Sequence, residues 1–233
     1  MEVLATQVSL LRVLFLRGLV PTLALVPIAL ALAVGVGLLG GMLRVMRIPV
    51  VDRLIWFYIY LMRGIPMLVI LFLAYYALPT GNDPRVAATL ALVACHGAYM
   101  IEIFRSGFEA VTKGQREAAR ALGMNFWQRM TLVILPQAVL VIVPAAVGQL
   151  IILVKDTALT SIIGYVEITR MGRNLMQTIM MPVPIFLYIA IYYFAVCHLL
   201  KLIANRLEHA TRVRLGSTER AAPATARAAG GAR

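Results

Sequence analysis

The sequence predicts an all-α integral membrane protein with five membrane-crossing helices. Three observations carry that expectation. Its 233 residues are 61% hydrophobic, with a mean hydropathy of +0.87, well above an ordinary soluble domain. Its formal charge of +12 is clustered rather than spread. Five apolar stretches separate the clusters, each about the roughly 20 residues that cross about 30 Å of hydrocarbon, or longer.

The first stretch, residues 18–43, carries no charged side chain. The second, about 53–78, holds Arg63; the third, about 86–104, includes Glu102. The fourth is 130–154 and the fifth about 182–202. Gly37 and Gly41 form a GxxxG in the first, a spacing that lets a neighbouring helix approach closely. Residues 1–17 read as an amphipathic segment along the outer interface. Residues 18–210 are the membrane domain. The Ala-, Arg- and Gly-rich tail, 211–233, offers little apolar surface to bury and reads as a disordered basic tail.

Five spans put the termini on opposite sides. With the N-terminus outside, the inner segments hold fifteen Lys and Arg against six in the outer ones. The positive-inside rule therefore predicts an outer N-terminus and a cytoplasmic C-terminus. The basic balance reads as topology and attraction to anionic headgroups. No basic groove with interleaved aromatics points to nucleic acid. Cys95 and Cys197 lie in apolar stretches, without the spacing of a metal site. Single histidines in apolar helices, His96 and His198, read as core hydrogen-bonding residues without an assigned role. The Met171, Met176, Met180 and Met181 group reads as packing.

The polar stretch KGQREAARALGMNFWQRMTLVILP, residues 113–136, stands apart from the apolar ones around it. Residues 115–122 are good helix formers, with Glu117 expected in the first turn. Gly123 suits the residue after a helix end. Asn125 with Gln128 reads as a capping box for a second helix, which Pro136 would bend into the fourth span. A slim, Ala-rich helix suits a groove on a partner.

This stretch resembles the EAA loop of ABC-transporter permeases. The wider context, residues 98–138, resembles the polar amino-acid uptake branch, as do Arg63-Gly64-Ile65-Pro66 and Lys155-Asp156-Thr157-Ala158-Leu159 with Ile163-Gly164. The resemblance covers about residues 18–208. It implies the type I importer permease fold, in the bacterial cytoplasmic (inner) membrane. The segment at about 107–132 would couple to a cytoplasmic ATP-binding cassette ATPase dimer through Gly114, Glu117, Ala118, Ala119, Leu122 and Gly123. It further implies a second permease subunit, identical or homologous, and an extracytoplasmic amino-acid-binding protein. The cargo would be a polar amino acid, glutamate/aspartate or a basic one included. Gln149 and Ala158 depart from the family's more usual Asn and Ser.

No GxxxxGK[ST] phosphate loop occurs in the chain. The expectation is a permease and not an enzyme, with no cofactor of its own; ATP and magnesium would be bound by the partner ATPase. An ion-driven secondary transporter is the alternative, as is a non-transporting structural subunit. The first of these would call for a repeat, which the sequence does not display, and for mid-span acids, of which it has few.

Polar residues inside spans are costly and often functional. Arg63 precedes Gly64 and Pro66, which can break the helix and open backbone toward a cavity. It either lies near a path or snorkels to the inner interface. Glu102 can pair with Arg105 at i,i+3 or line an inner gate. Asp156, Thr157 and Thr160, with Gln149 a turn or two earlier, are the candidate substrate or gate residues. Residues 157–173 suit a short half-helix facing a wet cavity.

Overall fold

A computed structural model describes residues 12–79 and 82–220. Its helices are α1 (Val20–Val45), α2 (Pro49–Gly64), α3 (Met67–Tyr76), α4 (Pro84–Glu109) and α5 (Lys113–Ala121). They continue with α6 (Phe126–Gln128), α7 (Leu135–Asp156), α8 (Ile168–Ile179) and α9 (Pro182–Arg220). Four helical stretches among the described residues are long and apolar enough to cross a membrane. A fifth crossing is the pair α2 and α3, bent by 105°. The second expected span is thus two helices, broken at the place where Gly64 and Pro66 can interrupt it. The break falls where Gly64 ends α2 and Pro66 precedes α3, because proline disfavours the helical conformation of the residue before it. Ile65 is accordingly extended, at φ −98° and ψ 132°.

Prolines set the helix starts, where a missing N–H costs nothing. Pro49, Pro84 and Pro182 each open a helix, and Asp83 caps α4 by accepting from Arg85 N at 2.8 Å. Two further prolines, Pro21 and Pro136, follow π-helical turns at Phe15–Leu19 and Arg129–Ile134. In both cases a widened turn lies just before a residue with no N–H to give back. The fourth span therefore runs unbroken from Phe126 to Ile163.

Close helix approach is built from glycine. A Cβ on Gly41 would sit 2.7 Å from Phe104 Cβ, and one on Gly40 2.7 Å from Ile101 Cδ1. α1 consequently lies directly against α4. Leu25, Ala29, Leu71, Ala88, Leu92 and Leu153 join α1, α3, α4 and α7 into one buried core. Along α9, Val183, Leu187, Ile191 and Phe194 stay exposed, as befits a surface that meets lipid or another subunit.

Two expected boundaries move. Residues 12–19 are not a separate interfacial segment but run straight into α1 as one helix, Arg12–Val45. Leu14 is buried there with Ile168 and Ile185, so packing inside the bundle wins over the interface. Residues 1–11 of that segment lie outside the described residues. At the other end α9 continues through 211 to Arg220. The span has already nucleated the helix, and the residues that follow are mostly adequate helix formers without proline. Of the expected tail, 221–233 lie outside the described residues.

Candidate functional site

Two places in the molecule gather the sequence-predicted residues. One is the hairpin between α4 and α7. α5 starts at Lys113, two residues earlier than expected, so Glu117 falls in its second turn and not its first. The helix ends in a paired-bond cap: Gly123 N donates to Arg120 O at 2.9 Å, and Met124 N to Ala119 O at 3.2 Å. That cap needs a left-handed residue, and Gly123 supplies φ +72° at no steric cost. The next helix begins with the expected capping box. Gln128 N donates to Asn125 Oδ1 and Asn125 N to Gln128 Oε1, both at 2.9 Å.

Arg116, which the sequence does not single out, holds the hairpin in place. The Arg116 guanidinium donates to the carbonyls of Phe108, Glu109 and Val111 at 2.7–3.0 Å. It thereby serves the orphan acceptors at the C-terminal end of α4. The i+4 spacing of backbone carbonyls could not have marked it, since the bonds run back across a turn. Ala119 is 3% exposed and faces the bundle, anchoring the helix. Gly114, Glu117, Ala118, Leu122 and Gly123 stay on the open side, with Leu122 76% and Trp127 60% exposed. An exposed leucine and tryptophan give the open side of this polar hairpin a mixed polar and apolar surface.

The second place is the α2–α3 break. A cavity of about 400 Å³ opens there. It is lined by Arg63, Gly64, Ile65, Pro66 and Met67 from the break, His96 and Tyr99 from α4, and Gln149, Ile152 and Asp156 from α7. The Arg63 guanidinium lies over the Tyr99 ring, 5.1 Å from its centroid, a cation–π contact. Gln149 Nε2 meets His96 Nδ1 at 2.8 Å, and His96 Nε2 lies 3.3 Å from Asp156 Oδ2. Arg63, Gln149 and Asp156 are therefore brought together, around a histidine the sequence reading left without a role. Its signal was a lone polar ring in an apolar helix, which a single helix cannot separate from packing.

Thr157 and Thr160 are not in this lining. Both are fully buried, and their hydroxyls donate to the carbonyls of Val154 and Thr157 at 2.6 Å. They shape the 3₁₀ turn Thr157–Ile163 that follows Asp156. Beyond it Glu167 caps α8, accepting from Thr169 N at 2.8 Å and Arg170 N at 2.7 Å. Burial pushes its carboxyl above the usual carboxylate range, against the pull of those backbone donors and the Tyr193 hydroxyl.

Glu102 lies apart, in a second cavity of about 500 Å³ shared with Arg44, Arg63, Gly64 and Arg105. It pairs with Arg105 as expected, at 3.0 Å, and also with Arg44 of α1 at 2.5 Å. Arg44 in turn holds Asp52 at 2.8 Å, and Arg105 holds Glu109 at 2.7 Å. The expected local pair is one link of a network tying α1, α2 and α4. Arg63 and Gly64 border both cavities, so the break separates them. No group of three or more metal-ligating side chains forms among the described residues.

Comparison with known proteins places this geometry. The family model described as "binding-protein-dependent transport system inner membrane component" matches residues 33–213. A "probable glutamine ABC transporter permease protein" of Bacillus subtilis is 36% identical over 199 residues, covering 82% of this chain and 90% of its own. A glutamine transport system permease protein of Escherichia coli is 32% identical over 205 residues, covering 86% and 94%. Among solved structures, an amino acid ABC transporter crystallised with histidines superposes with a TM-score of 0.77 at 33% identity. It covers 84% of this chain and 93% of that one.

Proposed function

The chain belongs to the binding-protein-dependent transport system inner membrane components, and from that premise we propose that it is the permease subunit of an ATP-driven importer of polar amino acids. One observation carries the reading: a hairpin, capped where α5 ends and where α6 begins, projects an exposed Leu122, Trp127 and Glu117 from a bundle of spans. A surface of that kind suits a partner that pushes and pulls on the bundle. In this reading the hairpin is cytoplasmic, the N-terminus outside, and the membrane the bacterial cytoplasmic membrane. The hairpin seats in a cleft of a separate ATPase, which binds ATP and magnesium. A second permease copy or homologue completes the pathway, and an external binding protein delivers the solute.

The cavity at the break is the solute path in this proposal. Arg63 and Asp156 offer one positive and one negative group, matching the two ends of a zwitterion. No other lining residue of fixed charge is present there among the described residues. The lining thus favours a polar amino acid with an uncharged side chain, in keeping with the glutamine permeases among its relatives. Thr157 and Thr160 serve by fixing the turn after Asp156. Glu102, held by Arg44 and Arg105, ties three helices together on the inner side of the break as a gate. Reconstitution with a partner ATPase and an amino-acid-binding protein tests this. Accumulation of glutamine in proteoliposomes should require ATP. Accumulation that ignores ATP but collapses with an ionophore, or no accumulation of any amino acid, overturns it.

A further inference from the structure

A third cavity, of about 600 Å³, opens between the end of α1 and the hairpin. α1 and the turn after it supply Val45, Met46 and Arg47, and α5 supplies Lys113, Arg116, Glu117 and Arg120. Arg129 and Ile134 come from the start of the fourth span, and Glu109 from the end of α4. Five cations thus face two carboxylates. Both carboxylates are already engaged: Glu109 with Arg105, outside the lining, at 2.7 Å, and Glu117 with Lys113 at 3.6 Å. Arg116 and Arg129 bond backbone carbonyls, which leave their charge in place. The side chains of Arg47 and Arg120 are exposed and bond no carboxylate among the described residues. Four guanidinium groups therefore border one open cavity with no anion to answer them.

The depth of the cavity decides which anion suits it. α1 carries no charge from residue 18 to residue 43, and Arg44 and Arg47 follow. The fourth span carries Arg129 and then turns apolar through residue 154. Both spans leave the hydrocarbon here, so the guanidinium groups lie at headgroup level. Val45, Met46 and Ile134 line the same cavity; a glycerol ester can pack on them, whereas a soluble phosphate or a partner's carboxylate has no use for an apolar wall. We propose that this cavity holds the phosphate of an anionic phospholipid, from the leaflet on the hairpin's side, between Arg47, Arg120 and Arg129. Guanidinium forks match phosphate oxygens in pairs, and basic pockets between spans are where acidic headgroups lodge. The lipid would join the end of α1 to the hairpin. The site requires a chain that spans a membrane and does not depend on ATP-driven transport.

The test is native mass spectrometry of the full chain in a neutral detergent, titrated with phosphatidylglycerol, phosphatidylcholine or soluble glycerol 3-phosphate. The reading is the apparent Kd of the first molecule bound. Phosphatidylglycerol should bind at least about tenfold more tightly than either of the others. Arg47 has φ +55°, a conformation glycine adopts at no steric cost, so Arg47→Gly removes the guanidinium without straining the turn. Arg47→Gly and Arg120→Gln should each weaken phosphatidylglycerol about fivefold, the loss of one cation near a headgroup, with the thermal midpoint unchanged. Arg53→Gln, which removes an exposed cation of α2 outside the cavity, should leave it unchanged. If Arg53→Gln weakens binding as much as Arg47→Gly, the attraction is diffuse and the site fails. It fails also if both cavity variants keep the wild-type Kd. Equal binding of glycerol 3-phosphate would show a site for free phosphate, and equal binding of phosphatidylcholine would leave the cations to a protein partner; either overturns the proposal. None of these readings involves ATP or uptake, so the transport reading stands or falls separately in proteoliposomes.

Discussion

The hairpin and the cavity are built by opposite means. In the hairpin every defining bond is local: Gly123 to Arg120, Met124 to Ala119, Asn125 to Gln128 and Arg116 to Val111. In the cavity the defining contacts join distant segments, with His96 bonded to Gln149 across 53 positions of the chain. A device that must keep its shape while a partner moves it gains from local bonds, which survive displacement of the bundle. A device that must open and close gains from contacts between elements that can separate. The contrast predicts that hairpin changes break coupling as a unit, whereas cavity changes are graded and depend on the solute.

The largest break should come from Gly123→Pro. Proline fixes φ near −65° where the cap requires +72°. Its ring nitrogen also cannot donate to Arg120 O. ATP-driven uptake should fall to background while the protein still reaches the membrane; normal uptake would show that the hairpin does not couple. Next is Asp156→Asn. We expect the KM for uptake to rise about ten- to hundredfold, as when a charge-assisted hydrogen bond is lost, with the ATPase still co-purifying. A loss of co-purification would erase the division between the two regions.

Arg116→Gln should release the hairpin from the end of α4. Hydrogen bonds to a charged group contribute about 1.5–3 kcal/mol, so amide exchange in α5 should speed more than tenfold without change in the spans. Asn125→Ala removes one half of the capping box and should cost about 1 kcal/mol, read as a smaller acceleration confined to residues 124–128. The smallest effect lies outside both regions, at Glu167. Its carboxyl is raised in the folded state, so its neutral form is favoured there. The stability it contributes is complete below the carboxylate's unfolded value. That contribution is lost as pH rises through the raised one. Glu167→Gln should flatten that decline in a thermal-unfolding series from acid to neutral pH.

Much of this was legible in the residues. Hydropathy located the crossings because lipid demands long apolar helices whatever they pack against. Gly64 and Pro66 announced the break, and Gly123, Asn125 and Gln128 the caps, since these depend on φ and on neighbours within three or four positions. Arg116 was missed because its partners are carbonyls, which every residue has. Glu102 was read as half of an i,i+3 pair because Arg44 lies 58 positions away. Residues 12–17 and 211–220 were misassigned because composition does not say what a segment packs on, or what helix it continues.

The sequence alone determined the spans, the sharp bend in the second, and the capped prong between the third and fourth. Each follows from backbone preference or side-chain solvation, which act over a few residues. Only the tertiary structure decided that Gln149, His96 and Asp156 meet beside Arg63, and that Glu102 joins Arg44 to Arg105. Those meetings depend on the rotation and depth of one helix against another. Glycine contacts such as Gly41 on Phe104 set that register between α1 and α4, and the core shared by α1, α4 and α7 extends it to α7. No window of the chain contains both partners of such a contact.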